Sequence, residues 1–438
     1  MPVKAIIAGI FSRVSMNILV VGSGGREHAI CTAFRRSPKA ENLYCAPGNA
    51  GIAAIANCVN IAADNVPALA DFAAANAIGL TFVGGETPLA LGIVDEFERR
   101  GLPIIGPRAN GAQLESSKAF AKGFMARHGI PTAKFTVSHS ADFAILELES
   151  GDFGGVDSSV VVKADGLAAG KGVIVAKDRA DAKAAITGLA SIAGSAATDK
   201  IVLEEFLTGR EVSLLVFADG ENFALMPAVR DHKRIGEGDS GPNTGGMGTV
   251  SDDALLSPAE LSDIVERIVK PTLHACRRED INFRGVLFFG LMLTANGPMV
   301  LEYNVRFGDP ETQAILVRLE TDLVDICEAI LAGRLADMEI KWTKGSSGCV
   351  ILASEGYPGK PRTGDVINGL QEAAAIPNVA IFHAGTARDQ AGNFITSGGR
   401  VLGVTAAGAD VSAALATAYE AVSKISWPGM QFRRDIGK

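Results

Sequence analysis

The sequence is short of most features that would take a 438-residue chain out of the ordinary globular class. It has no C-x-x-C pair and no cysteine–histidine cluster at metal-ligand spacing. Its six cysteines, at 31, 45, 58, 276, 327 and 349, therefore read as reduced, mostly buried thiols of a cytoplasmic protein. It has no long apolar run. Even the stretch 286–301 is interrupted by Thr294, Asn296 and Pro298, so no membrane span is expected. It has no basic excess: 41 Lys and Arg stand against 49 Asp and Glu, a net charge of −8. That argues against a general nucleic-acid binder, though not against a local basic pocket. No internal repeat or collagen period is present. What is in surplus is glycine, 50 residues, which must serve loops or close backbone contacts.

At 47% apolar and 21% charged residues, the chain has the composition of a folded protein, and its length allows two to four domains. Residues 1–15 read as a dispensable extension ahead of an alternative start at Met16. A targeting peptide is the other reading, but a cleavage signature is poor. From Asn17 to Ile105 strand-like runs alternate with helical ones, with a helix expected over 89–100. This predicts a doubly wound parallel sheet over 16–117. Its glycine turns, at 22–25, 48–51 and 84–85, fall at strand ends, where such sheets bind ligands. Beyond Ser116 the pattern changes to strand pairs joined by short loops, which read as antiparallel hairpins: 159–164 with 172–176, and 201–205 with 211–217; further strands are expected at 285–293 and 299–304. Helices are expected over 251–278 and, largely, over 310–331. From 343 a small C-terminal unit begins, with a helix at 411–424 capped by Asp410.

Five constellations carry chemistry. Gly22-Ser-Gly-Gly-Arg-Glu-His28 follows a strand and opens a helix, which makes an anion site, and Arg26 can grip a phosphate. Glu27 stands where a dinucleotide fingerprint needs its third glycine, which argues against NAD. Lys163, on a strand, precedes the glycine loop Asp165–Lys171, a candidate flap over a polyphosphate, although it is not a P-loop. Glu204 and Glu205 end an apolar strand before Phe206, Leu207 and Glu211. A purine could dock on this hinge with a carboxylate on the ribose, or the acids could be solvated strand ends. Asp231-His-Lys233-Arg leads into a loop with six glycines between 236 and 248. Last, Glu302, Asn304 and Arg306 share one face of a strand before Gly308-Asp309-Pro. A carboxylate beside an amide oxygen suits a hard cation such as Mg²⁺.

Taken together, GSGGREHA (22–29), APGNAG (46–51), VGGETPLA (83–90), KADGLAAGKGV (163–173), DHKR (231–234), GPNTGGMG (241–248) and LEYNVRFGDPETQ (301–313) resemble the glycinamide ribonucleotide synthetase family of the ATP-grasp superfamily, from about Met16 to the C-terminus. The resemblance implies an α/β and α+β chain: a doubly wound N-terminal domain, an ATP-grasp core over 118–342 with a mobile lid at 138–207, and a C-terminal domain over 343–438. It implies ligation of glycine to 5-phosphoribosylamine at the expense of ATP, with Mg²⁺ (or Mn²⁺) at Glu302 and Asn304. Lys118, Lys163 and Gly170 would meet ATP phosphates, Glu204–Leu207 the adenine and Glu211 the ribose. Gly24, Gly25, Arg26, Glu27 and Asn49 would hold phosphoribosylamine. Arg306 and Asp309 would contact substrate, with Asp231, Lys233, Thr244, Gly245 and Gly246 closing over the reacting centre. No nucleic acid or membrane partner is implied, and a monomer is expected, with a weak dimer as the alternative. The rival readings are another ATP-grasp ligase or a biotin-dependent carboxylase and, in a different class, a dinucleotide-dependent oxidoreductase.

Overall fold

The computed structural model describes residues 15–166, 172–193 and 200–438. Residues 1–14 of the expected extension lie outside these, as do Gly170 and Lys171 of the glycine flap. Three sheets position the site. The first is all parallel, in the order Asn57–Cys58, Ala40–Pro47, Met16–Gly22, Ile78–Val83, Ile104–Ile105. Its central strand buries Ile18, Leu19, Val20 and Val21 in succession, since helices cover both faces. The helix expected over 89–100 is two, Glu86–Ala90 and Ile93–Arg99. Gly92 between them sits at φ +80°, where its N–H closes the first helix on Leu89 and its carbonyl starts the second.

The second sheet is small and antiparallel, in the order Phe135–Ser138, Ile201–Glu205, Val160–Ala164, Val173–Ala176. The hairpin expected around the glycine flap is present. The hairpin expected between 201–205 and 211–217 is not: Arg210–Asp219 instead pairs with Arg284–Thr294 in the third sheet. The reason is hydrophobic partition. Ile201 and Leu203 belong to the small core with Ala144, Leu148 and Leu189, while Val212, Leu214 and Val216 belong to the main one. Residues 206–209 cross between the two.

The third sheet runs Gly297–Asn304, Arg284–Thr294, Arg210–Asp219, Val229–Asp231, Gly248–Asp252, Ser346–Ala353, Arg400–Gly408, Val379–His383, with Phe223–Leu225 alongside Arg210–Asp219. The core and the C-terminal unit thus share one antiparallel sheet, joined where Gly248–Asp252 pairs with Ser346–Ala353. The long helix expected over 251–278 is correspondingly shorter. Its first residues are strand, a single 3₁₀ turn follows at Asp253–Leu255, and α-helix starts only at Pro258, behind the Ser257–Glu260 capping box. Residues 310–331 likewise divide into Glu311–Leu316 and Leu323–Ala332, the second capped by Asp322. The helix Val411–Val422 is capped by Asp410, as expected. Five of the six cysteines are buried and Cys58 is exposed. Among the described residues, no helix is long and apolar enough to cross a membrane.

Where the first sheet meets the C-terminal unit, two histidines are buried against each other. The Nδ1 of His28 accepts the backbone N–H of His383 at 2.8 Å, which requires a neutral ring. Burial, then His383, lowers His28 to about 3; burial, then Arg388, lowers His383 to about 4. Because both fall below the value of the unfolded chain, their contribution is fully present above about pH 6.5 and is lost as pH falls towards 4 and 3. We expect each to cost about 2 kcal/mol at pH 5 relative to pH 7. His28→Asn keeps an acceptor that does not titrate, so it should flatten the fall in melting temperature between pH 7 and pH 5. An equally steep fall in the variant would refute the assignment.

Candidate active site

All three sheets turn ends or edges towards one cavity of about 390 Å³. Its floor is the strand Gly297–Asn304 and the turn that follows, with Glu302, Asn304, Arg306 and Asp309 all on the wall. Burial acts to raise Glu302, but Lys233, Lys163, Lys118 and Arg306 outweigh it and hold the carboxyl below its ordinary range. Lys233 Nζ lies 3.6 Å from Glu302 Oε1 and 3.5 Å from Glu211 Oε2. Those carboxylates, with Asp231, outweigh burial in turn and raise the lysine. An ammonium group thus already sits beside the one acid that the strand directs into the cavity together with an amide.

From the small sheet comes Lys163, paired with Glu204 at 2.7 Å and donating to the Leu301 carbonyl at 3.3 Å. Lys118, at the start of the helix Lys118–Arg127, donates to the Gly166 carbonyl at 3.0 Å and is lowered chiefly by burial. One turn on, Lys122 is buried between Glu204 at 2.8 Å and Thr132 at 2.7 Å, and burial, resisted by Glu204, lowers it to about 8. Lys118, Lys163 and Glu204 are therefore brought together on the wall. Glu205, Phe206, Leu207 and Glu211 stand outside the lining: Glu205 accepts the Lys134 N–H at 2.8 Å, and Phe206 is exposed.

The glycine turns of the parallel sheet contribute unequally. Arg26 reaches the wall, its Nη1 donating to the Phe307 carbonyl at 3.1 Å. Glu27 does not: its carboxylate turns inward, accepting the Gly24 N–H at 2.6 Å and pairing with Arg26 at 2.7 Å. The room for it comes from Gly22 and Gly84, where any Cβ would run into the Glu27 side chain. The place a dinucleotide fold keeps for its third glycine is filled by a helix-capping acid. Gly24 and Gly25 are likewise off the cavity wall. Asn49 lies in a separate shallow groove, donating to the Ser23 and His383 carbonyls, each at 2.8 Å.

Asp231, Lys233, Thr244 and Gly245 line the cavity, while Gly246 packs behind Asp231. Asp231 is pushed up to about 8 by burial and then by Glu311, which is itself raised chiefly by burial. The reading from sequence missed Glu86, Glu115, Lys122, Glu311 and Arg400. Arg306 is clamped by Glu86 at 3.2 Å and Glu115 at 2.6 Å. Arg400, from the C-terminal unit, pairs with Asp309 at 3.3 Å and donates to the Asp309 and Gly245 carbonyls. Lys122 carried a faint signal, its i, i+4 spacing from Lys118. Arg400 carried none.

A doubly wound domain, a small lid-like sheet and an antiparallel core around a lysine-lined cleft define the ATP-grasp class. Within it, the chain belongs to the phosphoribosylglycinamide synthetase family. The family's N domain matches residues 16–115, its ATP-grasp (A) domain 116–312 and its C domain 347–438. The chain is 45% identical to a phosphoribosylamine–glycine ligase of Caldanaerobacter subterraneus subsp. tengcongensis over 96% of this chain and 99% of that one. It is similar to the crystal structure of a Thermotoga maritima phosphoribosylamine–glycine ligase, with a TM-score of 0.80, 32% identity and coverage of 96% and 99%. The biotin carboxylase domain of the Hydrogenobacter thermophilus 2-oxoglutarate carboxylase shares the fold alone, at 15% identity and a TM-score of 0.71 over 95% and 92%.

Removing one partner of a buried ion pair strands the other. We expect Lys122→Ala to cost about 3 kcal/mol in urea unfolding. Lys134→Ala, which breaks the exposed pair with Asp152, should cost at most about 1 kcal/mol. Equal, small losses would refute the pairing of Lys122 with Glu204.

Proposed function

We propose that the chain joins glycine to 5-phosphoribosylamine, giving glycinamide ribonucleotide, ADP and phosphate. The observation that carries this reading, beyond family membership, is that Lys118, Lys163 and Arg26 line one cavity together with Glu302, Asn304 and Arg306 of the strand Gly297–Asn304 and its turn. A carboxylate is a poor electrophile towards an amine, so it must be activated first. A glycine carboxylate oxygen attacks the γ-phosphorus of ATP, forming an O–P bond as ADP leaves. The amine nitrogen of phosphoribosylamine then attacks the glycyl carbon, phosphate leaves with the C–O bond electrons, and the nitrogen gives up a proton. Such transfers need positioning and charge neutralisation more than a nucleophilic side chain.

Lys118 and Lys163, with the flap at Gly170, hold the ATP phosphates. Glu204–Leu207 frame the adenine and Glu211 takes the ribose. Glu302 and Asn304 offer a charged and a neutral hard oxygen, the donor set of a cation that keeps waters and takes phosphate oxygens as its other ligands. Mg²⁺ (or Mn²⁺) bound there would neutralise charge on the phosphates. Arg26 grips the phosphate of phosphoribosylamine, while Gly24, Gly25, Glu27 and Asn49 shape and brace its loop. Asp309 and Arg306 position glycine, and Asp231, Lys233 and Thr244–Gly246 close over the reacting carbon. Closure of the lid, 138–207, keeps water from the acyl phosphate.

We expect ADP release to require both glycine and phosphoribosylamine generated in situ. Release indifferent to phosphoribosylamine, or supported by bicarbonate in place of glycine, would refute the reading. Glu302→Ala should abolish turnover with the fold intact by circular dichroism, and Arg26→Ala should mainly raise the apparent KM for phosphoribosylamine.

A further inference from the structure

Glu115 is the penultimate residue of the helix Ala109–Ser116, and its side chain is 7% exposed. Its Oε2 accepts the Val305 N–H at 2.8 Å, and its Oε1 pairs with Arg306 Nη2 at 2.6 Å. The Asn304 amide has one orientation that satisfies its surroundings, with Nδ2 donating to Glu115 Oε1 at 3.1 Å and to the Tyr303 carbonyl at 3.3 Å. One buried carboxylate thus takes hydrogens from three consecutive residues at the end of the site strand. Burying an acid at this depth carries a desolvation cost, which these donors and the nearby Arg26 offset only in part, so the Glu115 carboxyl stays above its ordinary range.

From this geometry we infer that Glu115 is the positioning residue that fixes which atom of Asn304 meets a cation. An amide can present oxygen or NH₂ to a ligand, and the two orientations have the same shape. NH₂ repels a cation; oxygen coordinates it. By engaging Nδ2, Glu115 leaves Oδ1 as the amide atom available for coordination. It also holds Arg306 back from the cation through the same pair. Glu115 lines the same cavity, and the role inferred for it is exerted through Asn304. The inference rests on the reading of Glu302 and Asn304 as the cation site.

The test is Mn²⁺ binding to the protein–ADP complex, followed by electron paramagnetic resonance, with ADP binding in EDTA measured by calorimetry. Glu115→Gln keeps the shape but puts an NH₂ group among three donors. It should weaken Mn²⁺ binding about 10- to 100-fold, the usual scale for residues that orient a ligand, with metal-free ADP affinity unchanged. Adding Asn304→Asp, whose two oxygens are equivalent, should restore most of the loss. Glu115→Asp, the gentler change, should shift Mn²⁺ binding the same way by less. Unchanged Mn²⁺ affinity in Glu115→Gln, an equal loss of metal-free ADP binding, or no restoration by Asn304→Asp would each overturn the inference. Failure of wild-type protein to bind Mn²⁺ with ADP would overturn the cation site as well. Normal Mn²⁺–ADP binding without glycine ligation would overturn only the functional reading.

Discussion

Residues 301–309 have to be held from several sides at once, and the architecture follows from that need. The small sheet reaches in with Lys163 to the Leu301 carbonyl. The helix before Lys118 brings Glu115 to Val305 and Arg306. The parallel sheet sends Arg26 to the Phe307 carbonyl and Glu86 to Arg306, and the C-terminal unit sends Arg400 to Asp309. Each unit therefore places a charge on the same short stretch. A site made this way is assembled only when the whole chain is folded, because no single unit contains enough of it.

The wall of this site is electrically balanced. Most of its cations already have carboxylate partners: Lys122 and Lys163 share Glu204, Arg306 has Glu86 and Glu115, and Arg400 has Asp309. Buried pairs of this kind add little net stability, because desolvation cancels much of their attraction. What they do is hold each charge in register on the cavity wall. The chain's overall negative charge is thus no obstacle to binding polyanions, since the cations that matter are local and held in place.

The parts that could be read from sequence were those written locally. A strand, a glycine turn and a helix leave a contiguous trace, so the parallel sheet and the strand carrying Glu302 and Asn304 were legible. The splits at Gly92 and before Pro258 were missed because apolar periodicity continued across them, and backbone conformation and a cap decided otherwise. The pairing of Arg210–Asp219 depended on which core its side chains joined, which spacing does not encode. Arg400 and Glu115 were illegible for a related reason. Each is an ordinary residue in an ordinary element, and its partners lie 91 and 190 residues away. Glu27 was half legible: its misfit with a dinucleotide loop was plain, but the space made for it by Gly84, in the turn after a different strand, was not.

The shared sheet sets how the chain can be divided. Cutting before Ser346 would do more than remove a docked unit. It would leave Gly248–Asp252, buried at all but its last residue, as a bare sheet edge with a row of unpaired amides and carbonyls. Such an edge recruits any strand it meets, including that of another copy. The C-terminal unit therefore also acts as the stopper that keeps the ATP-grasp sheet from growing into its neighbours.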